Sequence, residues 1–353
     1  MQNDAAFAAP GRFAWNVKTM PRITPALVVG KVDRATFETE IKPLNRPVVL
    51  KGLAKSWRCV ELATQSPQAL GDYLKLYDTG MPLDIFVCPA EFNGRYFYNA
   101  DMTGFNFSRT KRTLSQIVDL CLSQRGGEAY YLQAAEVDKV APEMARALSL
   151  PLLEPGVRPR LWLANSLRTQ THFDMSDNLA VHVAGEKVFT LFPPDQIGNL
   201  YPGPLELTPA GVPISMVSLD TPDFERYPRF RAALEVAEEA HLEPGDALYM
   251  PALWWHHVST TGPLNMLVNH WWTERRTDAF PPIHALYMAA LSYRSMPAAE
   301  RKNWAALVNY FVFEDADGPM GHLPAHLQSV FAADPTAEQI EQVKAMLRRS
   351  VKI

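Results

Sequence analysis

His172-Phe173-Asp174 sets an imidazole and a carboxylate two residues apart. In a strand alternate side chains share a face, so both would point the same way. Eighty-four residues on (256 − 172), Trp254-Trp255-His256-His257 follows a glycine turn, a short apolar run and a proline, Gly245-Asp246-Ala247-Leu248-Tyr249-Met250-Pro251. Two imidazoles and one carboxylate cap one face of an octahedral cation and leave the other free, the donor set of non-haem Fe(II) sites. Neighbours on a strand face opposite ways, so only one of His256 and His257 can serve, and spacing leaves that choice open. Taken alone, His172 and Asp174 are equally a strand histidine beside a solvated aspartate. Lys187, thirteen residues past Asp174 in Gly185-Glu186-Lys187-Val188-Phe189-Thr190-Leu191-Phe192, is a surface strand lysine or a buried cation. If buried, it needs an anionic partner to stay charged.

The elements that must bring these residues together are mostly strands. Leu161 to Asn165, His172 to Asp174, Leu179 to Val183, Lys187 to Phe192, Ala247 to Pro251 and Leu264 to Trp272 carry apolar, β-branched and aromatic runs between turn residues. Upstream, Ile23 to Val32 reads as a strand, Asp33 as the N-cap of a helix to Ile41, and Asn45 to Leu53 as a buried strand. Ser66 caps a helix to about Tyr77. Leu83 to Cys88 and Arg95 to Tyr98 flank Asn93-Gly94 as a hairpin. Thr113 with Gln116 has capping-box spacing before a helix that ends at Gly126-Gly127, and Tyr130 to Gln133 is a strand. Residues 137–156 read as a helix and a proline-rich turn, and residues 222–240 as a helical connection between strands. Beyond Thr277 helical spacing takes over: Ala279 to Ser295, Ala298 to Phe313 and Pro335 to Arg349, the last introduced by Asp334-Pro335. The expected organisation is a mobile arm over residues 1–22, an α/β portion leading into a β core from about 130 to 275, and a helical region over 278–353.

The bulk properties narrow the function classes. Of the 353 residues 47% are hydrophobic and 20% charged, as in a soluble globular protein. A net charge of −4 argues against a nucleic-acid-binding surface on the whole molecule. Three scattered cysteines, Cys59, Cys88 and Cys121, lack metal-knuckle spacing and fit free thiols in a reducing compartment. With no secretory signal and no apolar run of bilayer length, the expectation is a cytoplasmic protein without membrane contact.

From Pro43 to Trp272 the chain resembles the JmjC/cupin-8 family of Fe(II)- and 2-oxoglutarate-dependent oxygenases. The motifs that carry the likeness are NRPVVLKGL with Trp57 beyond it, YLQ, T-x-x-H-x-D, G-x-K-x-F-x-L-F-P-P, GDALYMPALWWHH and VNHWW. Within the family the likeness is closest to the asparaginyl hydroxylases of hypoxia-inducible factor. The resemblance implies a mainly β fold with α over residues 23–277, with N-terminal α/β elements and a double-stranded β-helix core of cupin or jelly-roll type over about 130–275. It implies that His172, Asp174 and His256 bind Fe(II), which selects His256 over His257. It also implies that Lys187, Tyr131 and Thr169 hold the far carboxylate of 2-oxoglutarate. Asn178 and Asn269 would flank the metal and cosubstrate, and Trp271 would form a pocket wall. His182 and His270 are read as hydrogen-bonded scaffold residues. The implied activity uses O2, converts 2-oxoglutarate to succinate and hydroxylates a side chain of a protein or peptide, with the C-terminal helices pairing two copies. Met175-Ser176-Asp177 departs from the acidic sequence that follows this motif in the asparaginyl hydroxylases, so substrate identity does not carry over. Three other readings are a cupin-type protein that binds metal or a small molecule without turnover, an oxygenase of a non-protein substrate, and a metal-dependent isomerase or dioxygenase that does without 2-oxoglutarate, which leaves Lys187, Tyr131 and Thr169 unexplained.

Overall fold

The computed structural model describes residues 23–123, 125–209, 211–276, 278–314 and 318–350; the arm expected over residues 1–22 lies outside them. The chain forms two compact units, one running to Thr273 and one from Glu274 onward. In the first, thirteen strands among the described residues hydrogen-bond into one mixed ladder. In chain order they are β1 (Thr24–Pro25), β2 (Leu27–Val29), β3 (Val48–Leu50), β4 (Leu83–Cys88), β5 (Arg95–Tyr96), β6 (Ser108–Arg112) and β7 (Ala129–Glu136). There follow β8 (Pro159–Ala164), β9 (Leu167–Phe173), β10 (Asp177–Phe192), β11 (Glu238–Leu242), β12 (Ala247–Met250) and β13 (Trp255–Trp272).

The ladder runs β2-β3-β12-β10-β13-β8-β7-β4-β6, with β11 and β9 attached to β10 and β13, and β1 and β5 attached to those. Each of the two longest strands serves two faces. The first half of β10 lies between β12 and the far half of β13, where Ala180 is opposite both Leu248 and Asn269. Its second half lies between β11 and the near half of β13, where Phe189 is opposite Ala240 and Val258. Register breaks on either side of Ala184 let the pair bend between faces. Gly185 sits at that bend with φ +86°, and a Cβ there would collide with the Asn265 side chain, so glycine is required twice over. The result is the expected double-stranded β-helix arrangement, mainly β with α, built as an open ladder rather than a closed barrel.

Strand alternation decides what lies inside. Leu161 and Leu163 of β8, Leu179, Val181 and Val183 of β10, and Met266 and Val268 of β13 point outward into the main core. The helices Arg58–Gln65, Pro67–Lys75 and Leu114–Ser123 supply Val60, Leu70, Leu74, Ile117 and Val118 to the same core. The caps read from sequence form. Thr36 N donates to Asp33 Oδ1 at 2.8 Å, Ala69 N to Ser66 Oγ at 3.0 Å, and Thr113 and Gln116 bond reciprocally at 3.0 and 3.4 Å.

Four local expectations are corrected. The Asn93-Gly94 hairpin does not form: β4 pairs with β6 and β7, and β5 pairs in parallel with β9. A 3₁₀ turn at Ala90–Phe92 lifts the chain away from β4, and Gly94 packs so close to Ser166 and Leu167 that a Cβ would lie 2.8 Å from the Ser166 oxygen. The helical connection expected over residues 222–240 ends in a strand: Glu238–Leu242 pairs with β10, and Ala240 and Leu242 fill a cluster with Phe189 and Leu248. Asp174 lies one residue past the end of β9, outside the strand. In the second unit Thr336, not Asp334, caps Ala337–Ser350 by bonding reciprocally with Gln339 at 2.8 and 3.2 Å, and Asp334 pairs with Arg276 at 2.9 Å.

The second unit holds Pro282–Tyr293, Ala298–Val308 and Ala337–Ser350, with Tyr293 stacked on Trp304 at 5.2 Å and Phe311 against Phe331 at 5.1 Å. Neither of the first two helices has a buried residue, although Leu291 is 80% exposed.

The bend at Gly185 gives a stability prediction. Gly185→Ala should lower the urea midpoint by the equivalent of about 2–4 kcal/mol, from a side chain at positive φ plus the Asn265 overlap. Gly30→Ala, whose Cβ meets nothing within 4 Å, is the control and should stay within about 0.5 kcal/mol of wild type. Equal midpoints for the two variants would refute the role given to Gly185.

Candidate metal centre

β9 delivers His172, and the residue after its end delivers Asp174. His256, the second residue of β13, lies directly opposite His172, with ring centroids 4.3 Å apart. One ligand atom from each of His172, Asp174 and His256 lies within 4.8 Å of the others, and His256 Nε2 stands 3.8 Å from Asp174 Oδ2. His172 and His256 are buried and Asp174 is half-buried.

Hydrogen bonds fix the protons on both rings. His172 Nδ1 is 2.8 Å from the Gln170 carbonyl and His256 Nδ1 is 3.1 Å from that of Trp254. A carbonyl only accepts, so Nδ1 carries the proton and Nε2 keeps its lone pair for a cation. Burial, reinforced by the neighbouring His256, holds His172 down to about 4, so the ring is neutral near pH 7, as a ligand must be.

The carboxylate is held from behind. Asp174 Oδ2 accepts from Asn178 Nδ2 at 3.0 Å and from Trp271 Nε1 at 3.1 Å. Asn178 Oδ1 accepts from Asn269 Nδ2 at 3.3 Å, and Asn269 Oδ1 from Trp162 Nε1 at 2.7 Å. Every bond in this chain donates toward Asp174. Asn178 and Asn269, expected beside metal and cosubstrate, are thus within the wall of the site and act on the carboxylate itself. This is the outer-shell support that orients metal ligands.

Lys187, Tyr131 and Thr169 line the same chamber. Lys187 is 6% exposed and makes no ion pair among the described residues. Burial alone pushes its ammonium down to about 7. Burial drives the Tyr131 hydroxyl above its ordinary range, against a hydrogen bond from Thr169. A cation and two hydroxyls converging in a buried space form a receptor for an anion.

The other histidines lie outside the triad. His257 is buried, held down to about 3 by burial and then by Arg168. His182 Nε2 donates to the Gly185 carbonyl at 3.0 Å and His270 Nε2 to that of Leu148 at 3.2 Å, in keeping with scaffold roles. Trp162 and Ile214 were given no site role from the sequence, and Gln133 was read only as the end of the YLQ motif. Trp162 could have been found, because Leu161 and Leu163 on either side face outward. Ile214, bridged to His172, comes from a stretch with no periodic signal.

Comparison with known proteins gives a family match and distant relatives. The family model for a cupin-like domain matches residues 34–278. The tRNA wybutosine-synthesizing protein 5 of Gallus gallus is 28% identical over 256 residues, 67% of this chain and 74% of the relative. The lysine-specific demethylase JMJ31 of Arabidopsis thaliana is 24% identical over 286 residues, 70% of this chain and 49% of the relative. HSPB1-associated protein 1 of Homo sapiens is 28% identical over 190 residues, 53% of this chain and 38% of the relative.

The geometry predicts one divalent-cation site. Calorimetric titration with Mn(II) should show a single site that His172→Ala abolishes. Asn178→Ala should weaken it about 10- to 100-fold, because Asp174 then loses a donor that orients it. Unchanged affinity in Asn178→Ala would remove the asparagine chain from the site.

Proposed function

Because the chain belongs to the family of proteins with a cupin-like domain, we propose that it is an Fe(II)- and 2-oxoglutarate-dependent oxygenase that hydroxylates a side chain of a protein or peptide. One observation carries this reading: His172, Asp174 and His256 share a chamber with Lys187, a buried cation without a partner among the described residues. The donor set fits Fe(II), since two imidazoles and a carboxylate take up one face of the ion. With O2 and 2-oxoglutarate the ion would supply the oxidising power, the cosubstrate ending as succinate and carbon dioxide.

The residues' own tasks follow. His172, Asp174 and His256 hold the ion. Asn178, Asn269, Trp162 and Trp271 keep Asp174 in one orientation. Lys187 pairs with the distal carboxylate of 2-oxoglutarate, with Tyr131 and Thr169 as its hydroxyl partners. Burial around Lys187 excludes water and strengthens that ion pair. A binding protein without turnover would leave this cation, and the hydroxyls beside it, without a task.

The names of similar proteins divide among wybutosine synthesis on tRNA, lysine demethylation and association with HSPB1. We favour a protein or peptide acceptor on the net charge of −4 and on the asparaginyl-hydroxylase-like motifs YLQ, T-x-x-H-x-D and WWHH. Three free, buried cysteines support a reducing compartment, the cytoplasm. No helix of the described residues is long and apolar enough to cross a membrane. The exposed apolar residues of the second unit, among them Leu291, Val312 and Phe313, support pairing of two copies there.

Three outcomes test this. Anaerobic addition of Fe(II) and 2-oxoglutarate should produce a weak visible charge-transfer band that His172→Ala and Lys187→Ala lose; no band in the wild type would refute the oxygenase reading. At pH 8 Lys187 is largely neutral in the empty chamber, and a bound carboxylate raises its pKa. Binding of 2-oxoglutarate should therefore take up a proton and weaken as pH rises above about 7. Calorimetry in buffers of different ionisation enthalpy reads this, and no uptake would place the carboxylate away from Lys187. Light scattering should give the full chain twice its 39.6 kDa mass, and removal of residues 278–353 should give a monomer.

A further inference from the structure

Aromatic side chains form a continuous row across the inner face of the ladder. Trp271 of β13, Trp162 of β8, Tyr131 of β7 and Phe86 of β4 sit on successive strands, with ring centroids 5.7, 5.8 and 6.2 Å apart. The row begins at the metal centre, since Trp271 donates to Asp174. It ends at Arg109 of β6, the register partner of Phe86, whose guanidinium lies 4.9 Å from the Phe86 ring. Beyond Tyr131 a second cavity opens, lined by Phe86, Tyr96 and Phe107 and sharing Tyr131, Gln133 and Thr169 with the metal chamber. The oxygenase reading uses none of Phe86, Phe107 and Arg109.

The far end of this row is positively charged. β6 ends the ladder and pairs with β4 alone among the described residues, so its outer edge keeps unpaired backbone groups. Its sequence, Ser108-Arg109-Thr110-Lys111-Arg112, carries three cations, none in an ion pair among the described residues. The acid on the two strands is Asp84, opposite Lys111. Arg109 and Lys111 share the face of Phe86, by the two-residue alternation of a strand.

We propose that this row is a specificity subsite for an extended acidic peptide. An apolar side chain of the peptide fills the cavity at Phe86 and Phe107, and a carboxylate further along meets Arg109 and Lys111. The assignment rests on the oxygenase reading, because the other end of the row is the metal centre. From β13 to β6 are four strand steps of about 4.8 Å, or about 19 Å. An extended chain advances about 3.3 Å per residue, so the acidic residue stands about six residues from the oxidised one. A peptide fits better than a nucleic acid. Phe86 meets Tyr131 at 52° and Phe107 at 62°, so the rings form a tilted cavity wall rather than a flat platform for bases.

The test is fluorescence anisotropy on the full chain with three labelled probes. They are a dodecapeptide pool with a fixed Asp-Glu pair, the same pool with Lys-Arg in its place, and dodecauridylate. The Asp-Glu pool should bind most tightly. Arg109→Glu should weaken that pool about fivefold or more without improving dodecauridylate binding. Phe86→Ala should weaken both peptide pools together. Arg109 is exposed, so its variant should fold as wild type does, which circular dichroism checks. Equal binding of the Asp-Glu pool by wild type and Arg109→Glu would overturn the assignment, as would tighter binding of dodecauridylate that Arg109→Glu abolishes. The readout needs no turnover. An intact Asp-Glu preference in a protein that lacks the charge-transfer band would therefore uphold the subsite and refute the oxygenase reading.

Discussion

The antiparallel pairing of β10 with β13 is the constraint on which the rest depends. Both strands pass from one face of the ladder to the other, and they remain partnered from Asp177 opposite Trp272 to Phe192 opposite Trp255. A single pairing thus places Asn178 beside Trp271 at one end and sets Lys187 opposite Thr260 further along. It also presents the start of β13 to β9, which seats His256 opposite His172. Slipping that register by one residue would turn every inward side chain outward and exchange His256 for His257. The bend at Gly185 lets one pair of strands wall both sides of a chamber.

Inside, the fold keeps formal charge scarce. His172, His182, His257 and His270 are all held neutral by burial. Asp174 is compensated by donors from Asn178 and Trp271 rather than by a cation of the chain. Lys187 stands without a carboxylate among the described residues. The chamber therefore has one place for a positive ion and one for a negative group, separated by polar but uncharged side chains. That asymmetry makes a metal and a carboxylate natural occupants, because each removes an electrostatic cost that the empty fold carries.

Much of this was legible in the sequence, for identifiable reasons. Donor chemistry is a property of residue type, so His172, Asp174 and the Trp254-Trp255-His256-His257 stretch stood out without any geometry. Caps at Asp33, Ser66 and Thr113 were legible because their hydrogen bonds are local. Which of His256 and His257 faces the chamber came from the family resemblance and not from spacing, since it depends on β9 arriving opposite. The Asn93-Gly94 hairpin failed because Gly94 is committed to a contact with Ser166, more than seventy residues away in sequence. Glu238–Leu242 was hidden because its strand character comes from the edge of β10 and not from its own polar sequence. The task of Asn178 could not be read either: its bond to Asp174 spans four residues, but the one it accepts from Asn269 joins residues that meet only after the ladder forms.

Lys187 has a consequence that reaches past chemistry. A buried ammonium lowered to about 7 subtracts from the free energy of folding at neutral pH, and a bound carboxylate gives that energy back. Occupancy of the chamber is then coupled to the survival of the chain itself. With the pocket empty, more molecules visit unfolded states and meet proteases; with it filled, fewer do. A filled chamber would then lengthen the polypeptide's lifetime, tying the abundance of the chain to occupancy of its own pocket.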